Sequence, residues 1–183
     1  MHAYTHTCTH IFSSVPQLIE DTNAGRHQIV VHYGDIAYNL DDQCGMVGDL
    51  FMSAVSPFAS QIPVVFGVGN HETAKNYTYI DFLERYRGQT ELAASSGSPN
   101  IRYLSFNMGL VHVAMVDTDA YIYKPVQELA APQYAWLERD LKSVDRSITP
   151  WLILIGHRCG MCPLPLLPIH TPSYTAYSLL PAF

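Results

Sequence analysis

The stretch IVVHYGDIAYNLDD, residues 29–42, joins an apolar run directly to acidic and phenolic side chains. The first five residues are apolar or β-branched on both faces, which predicts a buried parallel strand that stops at Gly34. Asp35 and Tyr38 follow at once, whereas Asp41 and Asp42 are placed to open the next helix. The run therefore predicts a strand that delivers a carboxylate and a phenol to the edge of a sheet.

The segments around this strand complete a βαβ unit. The pattern predicts a helix over residues 13–25, a second helix over 41–60 that Pro57 closes, and another buried strand over 62–69. A strand, a helix and a strand at this spacing must place the two strands parallel, with both carboxyl ends on one edge.

The rest of the chain continues as mixed helices and strands. In chain order, the predictions are a helix over 78–88, a polar loop over 90–100, a hairpin of 101–106 with 110–116, a helix over 131–144 and an apolar strand over 149–157. The fold class is therefore α/β.

Composition limits the classes of partner. The chain has 183 residues, 48% of them hydrophobic, and a formal net charge of −6. It has no cluster of Lys and Arg, so neither a nucleic acid nor an anionic membrane is expected as a partner. No apolar run approaches the roughly 20 residues of a membrane span, and the first residues lack the order of a signal peptide. Nothing in the sequence predicts an oligomeric state.

Three segments differ in character. Residues 1–12 are atypical of a folded domain, and residues 13–158 carry the α/β pattern. Residues 159–183 hold five prolines and no charged residue. We expect one domain over 13–158, with atypical segments on either side.

Metal-binding or phosphate-binding residue types follow three of the predicted strands. They are Asp35 after Gly34, Asn70-His71-Glu72 after Gly69, and His157 after Gly156. In open α/β sheets ligands bind at the carboxyl ends of strands, so these corners are expected to converge. Carboxylate and phenolate suit a ferric ion, and an amide oxygen with imidazole suits a divalent ion. Two such ions could clamp a phosphoryl group and activate water.

These residues form recognisable motifs. Gly34-Asp35-Ile36-Ala37-Tyr38 fits GDxxY, Gly69-Asn70-His71-Glu72 fits GNH(D/E), and Leu154-Ile155-Gly156-His157 fits VxxH with Leu for Val. In this order they resemble the purple acid phosphatases, a branch of the calcineurin-like metallophosphoesterases, and in particular the animal iron/zinc type. The tyrosine of GDxxY separates this branch from protein serine/threonine phosphatases.

The resemblance implies a fold, a reaction and roles. The fold would be two packed β-sheets flanked by helices, here in part, and the reaction hydrolysis of phosphate monoesters at acidic pH in a secreted or lysosomal setting. Asp35 would bridge a ferric iron and a divalent zinc, manganese or ferrous ion, with Tyr38 on the iron. Asn70 and His157 would bind the divalent ion, while His71 would bind phosphate and protonate the leaving group.

The chain also departs from the family pattern. Residues 1–19 contain no Asp or Glu for a first GDxG motif, and His170, the one histidine after His157, is not in a GHxH motif. The resemblance implies seven protein ligands, of which the Asp of GDxG and the two histidines of GHxH are missing here, so four remain. We expect an incomplete phosphatase sequence with little or no activity of its own. The alternatives are a non-catalytic binding protein of the same fold, or a phosphodiesterase or nucleotide phosphatase that uses the same metals.

Simpler interpretations exist for each residue. Asp35 could be a turn residue, Asn70 a cap, and His157 a buried histidine at a strand end. We expect Glu72 to fix its loop by hydrogen bonds rather than to bind metal. Asp117 and Asp119 either line a pocket or begin a turn, and His32 and His112 are expected to be packed core histidines.

Overall fold

The computed structural model describes residues 14–158 and the backbone of the strand 176–180. Apart from the strand 176–180, the predicted segments 1–12 and 159–183 lie outside the residues that the structure describes. The helices are α1 Val15–Asn23, α2 Met46–Ala59, α3 Ile80–Arg85, α4 Thr90–Ser95 and α5 Ala130–Ser143. The strands are β1 Val30–Tyr33, β2 Val64–Gly67, β3 Leu104–Met108, β4 Val111–Val116, β5 Trp151–Gly156 and β6 Ala176–Leu180.

The predicted βαβ unit is present. β1 pairs in parallel with β2, in a register that runs from Val30 opposite Val64 to Tyr33 opposite Gly67. α2 connects the two strands and buries one face, made of Gly48, Phe51, Val55 and Phe58. The helix begins at Met46, five residues after the predicted start, and ends at Ala59, one residue before the predicted end of 60, with Pro57 inside its last turn.

A second sheet has the strand order β3-β4-β5-β6. β3 and β4 form the predicted antiparallel hairpin, and β4 pairs in parallel with β5. β6 adds to the far side of β5 in the antiparallel direction, with Gly156 opposite Ala176. The three strands that carry the motifs therefore belong to two sheets: β1 and β2 to the first, and β5 to the second.

The two sheets share one hydrophobic core. The buried cluster includes Val65 and Phe66 from the first sheet and Val113, Met115 and Ile155 from the second. A hydrogen bond also joins the sheets directly, because the Tyr33 hydroxyl donates to the Val116 carbonyl. This packing confirms a mixed α/β fold and brings the end of β5 beside the ends of β1 and β2.

One predicted loop is wrong. Residues 90–100 were expected to form a polar loop, but Thr90–Ser95 forms α4. Its Glu, Leu and Ala residues are good helix formers, and Ala93 is buried in the core. The indole N–H of Trp136 also donates to the Ser96 carbonyl at 2.9 Å. Tertiary packing therefore stabilises a short helix that the serine-rich sequence did not predict.

Within residues 14–158 and 176–180, no helix has the length and apolar character needed to cross a bilayer.

Candidate metal centre

Three of the predicted site residues meet at the strand ends. The Nε2 atom of His157 lies 3.2 Å from Oδ1 of Asp35 and 3.1 Å from Oδ1 of Asn70. Asp35 and Asn70 follow β1 and β2, whereas His157 follows β5 of the other sheet. The packing of the two sheets therefore brings a carboxylate, an amide oxygen and an imidazole into hydrogen-bonding contact.

The loop after β1 has an unusual backbone. Gly34 has φ +72° and Asp35 φ +52°, and Ala37, Tyr38 and Asn39 also have positive φ, at 56°, 52° and 111°. Non-glycine residues rarely adopt this left-handed region, and such strain concentrates at functional sites. The surrounding contacts must hold this loop in place.

Two glycines allow the loops to approach each other. A Cβ atom at Gly34 would lie 2.2 Å from Nδ1 of His157, and one at Gly69 would lie 2.8 Å from both N and Oδ1 of Asp35. No larger residue fits at either position without movement of the site.

Glu72 holds the first two loops together. Its carboxylate accepts from the backbone N–H of Asp35 at 2.8 Å, Ile36 at 2.5 Å and Gly69 at 2.7 Å. Burial raises the pKa of Glu72 to about 7. As predicted, Glu72 acts on its loops by hydrogen bonds, and it fixes the position of Asp35 in particular.

Asp35 and His157 influence each other's ionisation. Burial alone would raise the pKa of Asp35, but the hydrogen bond and charge of His157 outweigh it and hold that pKa below its ordinary value. The hydrogen bond to Asp35 raises the pKa of His157. In the metal-free chain each side chain therefore favours the charged form of the other, and His157 would have to release a proton to bind a metal.

Tyr38 and His71 lie together beside this corner. Their ring centroids are 4.7 Å apart, and the Tyr38 side chain is 49% exposed. The phenol makes no hydrogen bond to Asp35, Asn70 or His157. Nδ1 of His71 lies 3.0 Å from Oδ1 of Asn39, and the His71 backbone N–H donates to Asp35 at 3.3 Å. Asn39, which the motif comparison did not single out, therefore orients the His71 ring.

Arg158 is a second residue that sequence reasoning missed. Its Nη2 donates to Oδ1 of Asn70 at 2.6 Å, and its Nε donates to Oδ1 of Asp119 at 2.8 Å. The one feature of the sequence that pointed to Arg158 is its position directly after His157. Asp117 begins a turn, because it accepts from the backbone N–H groups of Asp119 and Ala120.

The two histidines expected in the core differ. His112 is buried and hydrogen-bonded: its Nδ1 lies 2.7 Å from Oδ1 of Asn107, and its Nε2 lies 3.0 Å from Oδ2 of Asp140. His32 is half-buried between the rings of Phe51 and Phe66. Neither reaches the strand-end corner through a hydrogen bond.

Comparison with known proteins decides the family. The model of the calcineurin-like phosphoesterase family matches residues 1–173. The chain belongs to the calcineurin-like phosphoesterases.

Among the relatives of this calcineurin-like phosphoesterase is human acid phosphatase type 7. The two are 33% identical over 152 residues, which cover 81% of this chain and 33% of the human protein. Purple acid phosphatase 15 of Arabidopsis thaliana is 39% identical over 101 residues, or 54% of this chain and 18% of that protein. The chain thus spans about a third or less of the length of these relatives.

A solved structure shows the same fold. A purple acid phosphatase from yellow lupin (Lupinus luteus) seeds matches with a TM-score of 0.56 over 79% of this phosphoesterase and 25% of the lupin chain, at 23% sequence identity.

The metal-ligating side chains at this corner can be compared with the pair of metal ions that the resemblance implies. Asp35, Asn70 and His157 together offer the oxygen and imidazole donors that suit one divalent ion. For a ferric ion, Asp35 and Tyr38 would be the only ligands among the described residues that the resemblance assigns to it. Across residues 14–158, no group of three or more His, Cys, Asp or Glu side chains is arranged to hold a metal. The described residues fit the divalent half of the site and leave the ferric half underfilled.

Proposed function

We propose that this chain is part of a purple acid phosphatase-like hydrolase of phosphate monoesters. The observation that carries the proposal is the contact of Asp35, Asn70 and His157 at the ends of strands from two sheets. The family match and the names of the relatives support the same reaction class.

The ligand roles follow from the chemistry of each side chain. Asp35, Asn70 and His157 would hold a divalent ion, which we propose to be zinc, manganese or ferrous iron. Asp35 and Tyr38 would hold a ferric ion. When bound, the two ions would supply a nucleophilic hydroxide and neutralise charge on the phosphoryl group.

His71 would act on the substrate rather than on a metal. Its Nδ1 atom lies against Asn39, so Nε2 is left to contact a phosphate oxygen and to carry a proton for the leaving group. The backbone N–H of His71 donates to Asp35, which couples its position to the proposed ligand. Glu72 would hold both loops during the reaction, since three of their N–H groups donate to its carboxylate.

The ligand count limits what this chain can do alone. Four proposed ligands, instead of the seven implied by the resemblance, predict weak binding of a second ion, since metal affinity depends on ligand number and supporting contacts. We propose that the remaining ligands belong to parts of a longer protein, and that the 183-residue chain turns over substrate slowly or not at all.

The test is hydrolysis of an aryl phosphate at about pH 5 by the longest protein that the transcript encodes. Asp35→Asn and His71→Ala should each abolish most turnover, because they remove a ligand and the proton donor. Asp41→Asn, which removes an acid from the same loop, is the matched control and should retain activity. Full turnover in both Asp35→Asn and His71→Ala would overturn the assignment.

A non-catalytic binding protein of the same fold is the second candidate. The incomplete ligand set favours it, and one relative, 28% identical over 173 residues, bears the name probable inactive purple acid phosphatase 9. This alternative predicts that the longest protein binds inorganic phosphate or metal without hydrolysing any phosphate ester.

A further inference from the structure

The side chain of Asn70 has two chemically different ends. A half-turn of the amide exchanges the oxygen, which can bind a metal, for the NH₂ group, which cannot. His157 selects one orientation only weakly, because its single Nε2–H is shared between Oδ1 of Asp35 at 3.2 Å and Oδ1 of Asn70 at 3.1 Å. Arg158 does select it: a guanidinium only donates, and its Nη2 lies 2.6 Å from Oδ1 of Asn70.

Arg158 is itself anchored at several points. Nε donates to Asp119, Nη2 also donates to the Tyr123 hydroxyl at 3.1 Å, and the backbone N–H donates to the Thr118 hydroxyl at 2.9 Å. Because the guanidinium is rigid and planar, fixing Nε also fixes the direction of Nη2.

The anchor continues into the core. Asp119 is fully buried, and its backbone N–H donates to Asp117 at 3.0 Å. Asp117 in turn forms a buried ion pair with Arg102. A line of contacts therefore runs from Arg102 through Asp117, Asp119 and Arg158 to Asn70.

The environment of Asp119 argues against a role in stability alone. Its Oδ1 accepts from Arg158, but its buried Oδ2 makes no hydrogen bond to any residue in the described part of the chain. A buried carboxylate oxygen without a donor costs free energy, and an ion pair with one partly exposed partner, as Arg158 is, contributes little to stability. The pair is better explained by the orientation that it imposes.

We infer that Arg158, held by Asp119, is a positioning residue that fixes the Asn70 amide with its oxygen toward His157. This inference rests on the proposed function, which it deepens by naming the group that orients one ligand. It is also a statement about the metal-free chain, and so it can be tested without any activity.

The first experiment follows the Asn70 side-chain amide by ¹H–¹⁵N NMR in the metal-free 183-residue chain. The Asn70 signal pair is identified by its loss in Asn70→Asp. In Arg158→Met it should move or split, because the amide gains a second orientation. The Gln133 pair should stay in place, because Gln133 bonds to both backbone groups of Asp117 and reports on the intact fold.

Two further variants complete this experiment. Arg158→Lys returns the charge without the planar fork and should restore the Asn70 signals in part. Arg139→Met is the matched control, since Arg139 donates to the Gly97 carbonyl on the surface, and it should leave them unchanged. If Arg158→Met does not fold, Asp119→Asn decides the question by the same signals. An Asn70 pair that is identical to wild type in the folded variant overturns the inference.

The second experiment measures zinc affinity by calorimetry. Removing a positive charge near a cation site should, by electrostatics alone, tighten binding. Loss of the Asn70 orientation should instead weaken zinc binding by about tenfold or more, which is the usual effect of removing a residue that hydrogen-bonds to a metal ligand. Weaker binding in Arg158→Met but not in Arg139→Met supports the inference, and equal or tighter binding overturns it. If wild type binds no zinc, the proposed site fails, and the NMR signals alone decide the role of Arg158.

Discussion

The carboxylate of Asp35 accepts a hydrogen bond from His157 across 3.2 Å, although the two residues follow strands of different sheets. This contact closes the corner at which β1, β2 and β5 end. It depends on the core that joins the sheets and on the small residues that allow the loops to meet.

Glu72 should be the most important residue for the shape of this corner. Glu72→Ala leaves the N–H groups of Asp35, Ile36 and Gly69 without an acceptor, and an unsatisfied buried group costs about 1–3 kcal/mol. We expect the free energy of unfolding in urea to fall by about 2–4 kcal/mol.

Glu138→Ala is the control for this prediction. Glu138 pairs with Lys142 on the surface of α5, and such pairs contribute about 0–1 kcal/mol. A loss in Glu72→Ala no larger than in Glu138→Ala would show that the three N–H groups do not depend on Glu72.

Gly34 should tolerate alanine much less well than Gly25. Both have positive φ, at 72° and 65°, so alanine costs each about 1–2 kcal/mol of backbone strain. A Cβ at Gly34 would also meet the His157 ring at 2.2 Å, whereas one at Gly25 meets nothing within 4 Å. We expect an additional loss of about 1–3 kcal/mol in Gly34→Ala, measured by urea unfolding. Equal losses in the two variants would mean that the loop does not approach His157 so closely.

Much of this arrangement could be predicted from the sequence, and the failures have physical causes. Apolar runs before Gly34, Gly69 and Gly156 predicted the strands, because burial imposes a repeat that a sequence displays. The bonds of Arg158 to Asp119 and Asn70 join residues 39 and 88 positions apart, and no local pattern encodes them. The helix Thr90–Ser95 was missed for a related reason, since its stability comes partly from contacts with distant residues.

His32 should make the protein less stable at acidic pH. Burial lowers the pKa of His32, which lies between Phe51 and Phe66. The unfolded chain therefore binds a proton at His32 more readily than the folded chain does. The contribution of neutral His32 to the free energy of unfolding is complete above the unfolded pKa of about 6.5, and it is lost as pH falls from there through the folded pKa.

His32→Leu is the variant that tests this pH dependence. Urea unfolding of wild type and His32→Leu at pH 7.5, 6 and 5 should show wild type losing stability relative to the variant as pH falls. A difference between the two proteins that is constant across this range would contradict the prediction.

Tyr38 should give the iron-loaded protein its colour, if it binds ferric iron as the resemblance implies. Titration with ferric iron of the longest protein that the transcript encodes, where we propose that the remaining ligands lie, should then produce a visible absorption band that is absent in Tyr38→Phe. Tyr121→Phe removes a phenol of similar exposure, 45% against 49%, and should keep the band. A band that survives in Tyr38→Phe would assign the colour to another residue.

The central claim is that the ends of β1, β2 and β5 form a site for one divalent ion. Equilibrium dialysis against zinc, followed by elemental analysis, measures this directly on the 183-residue chain. We predict about one zinc ion per chain for wild type and for the control Asp41→Asn, and at least tenfold weaker binding for Asp35→Asn and Asn70→Ala. Zinc binding that is equal in wild type, Asp35→Asn and Asn70→Ala would contradict the claim.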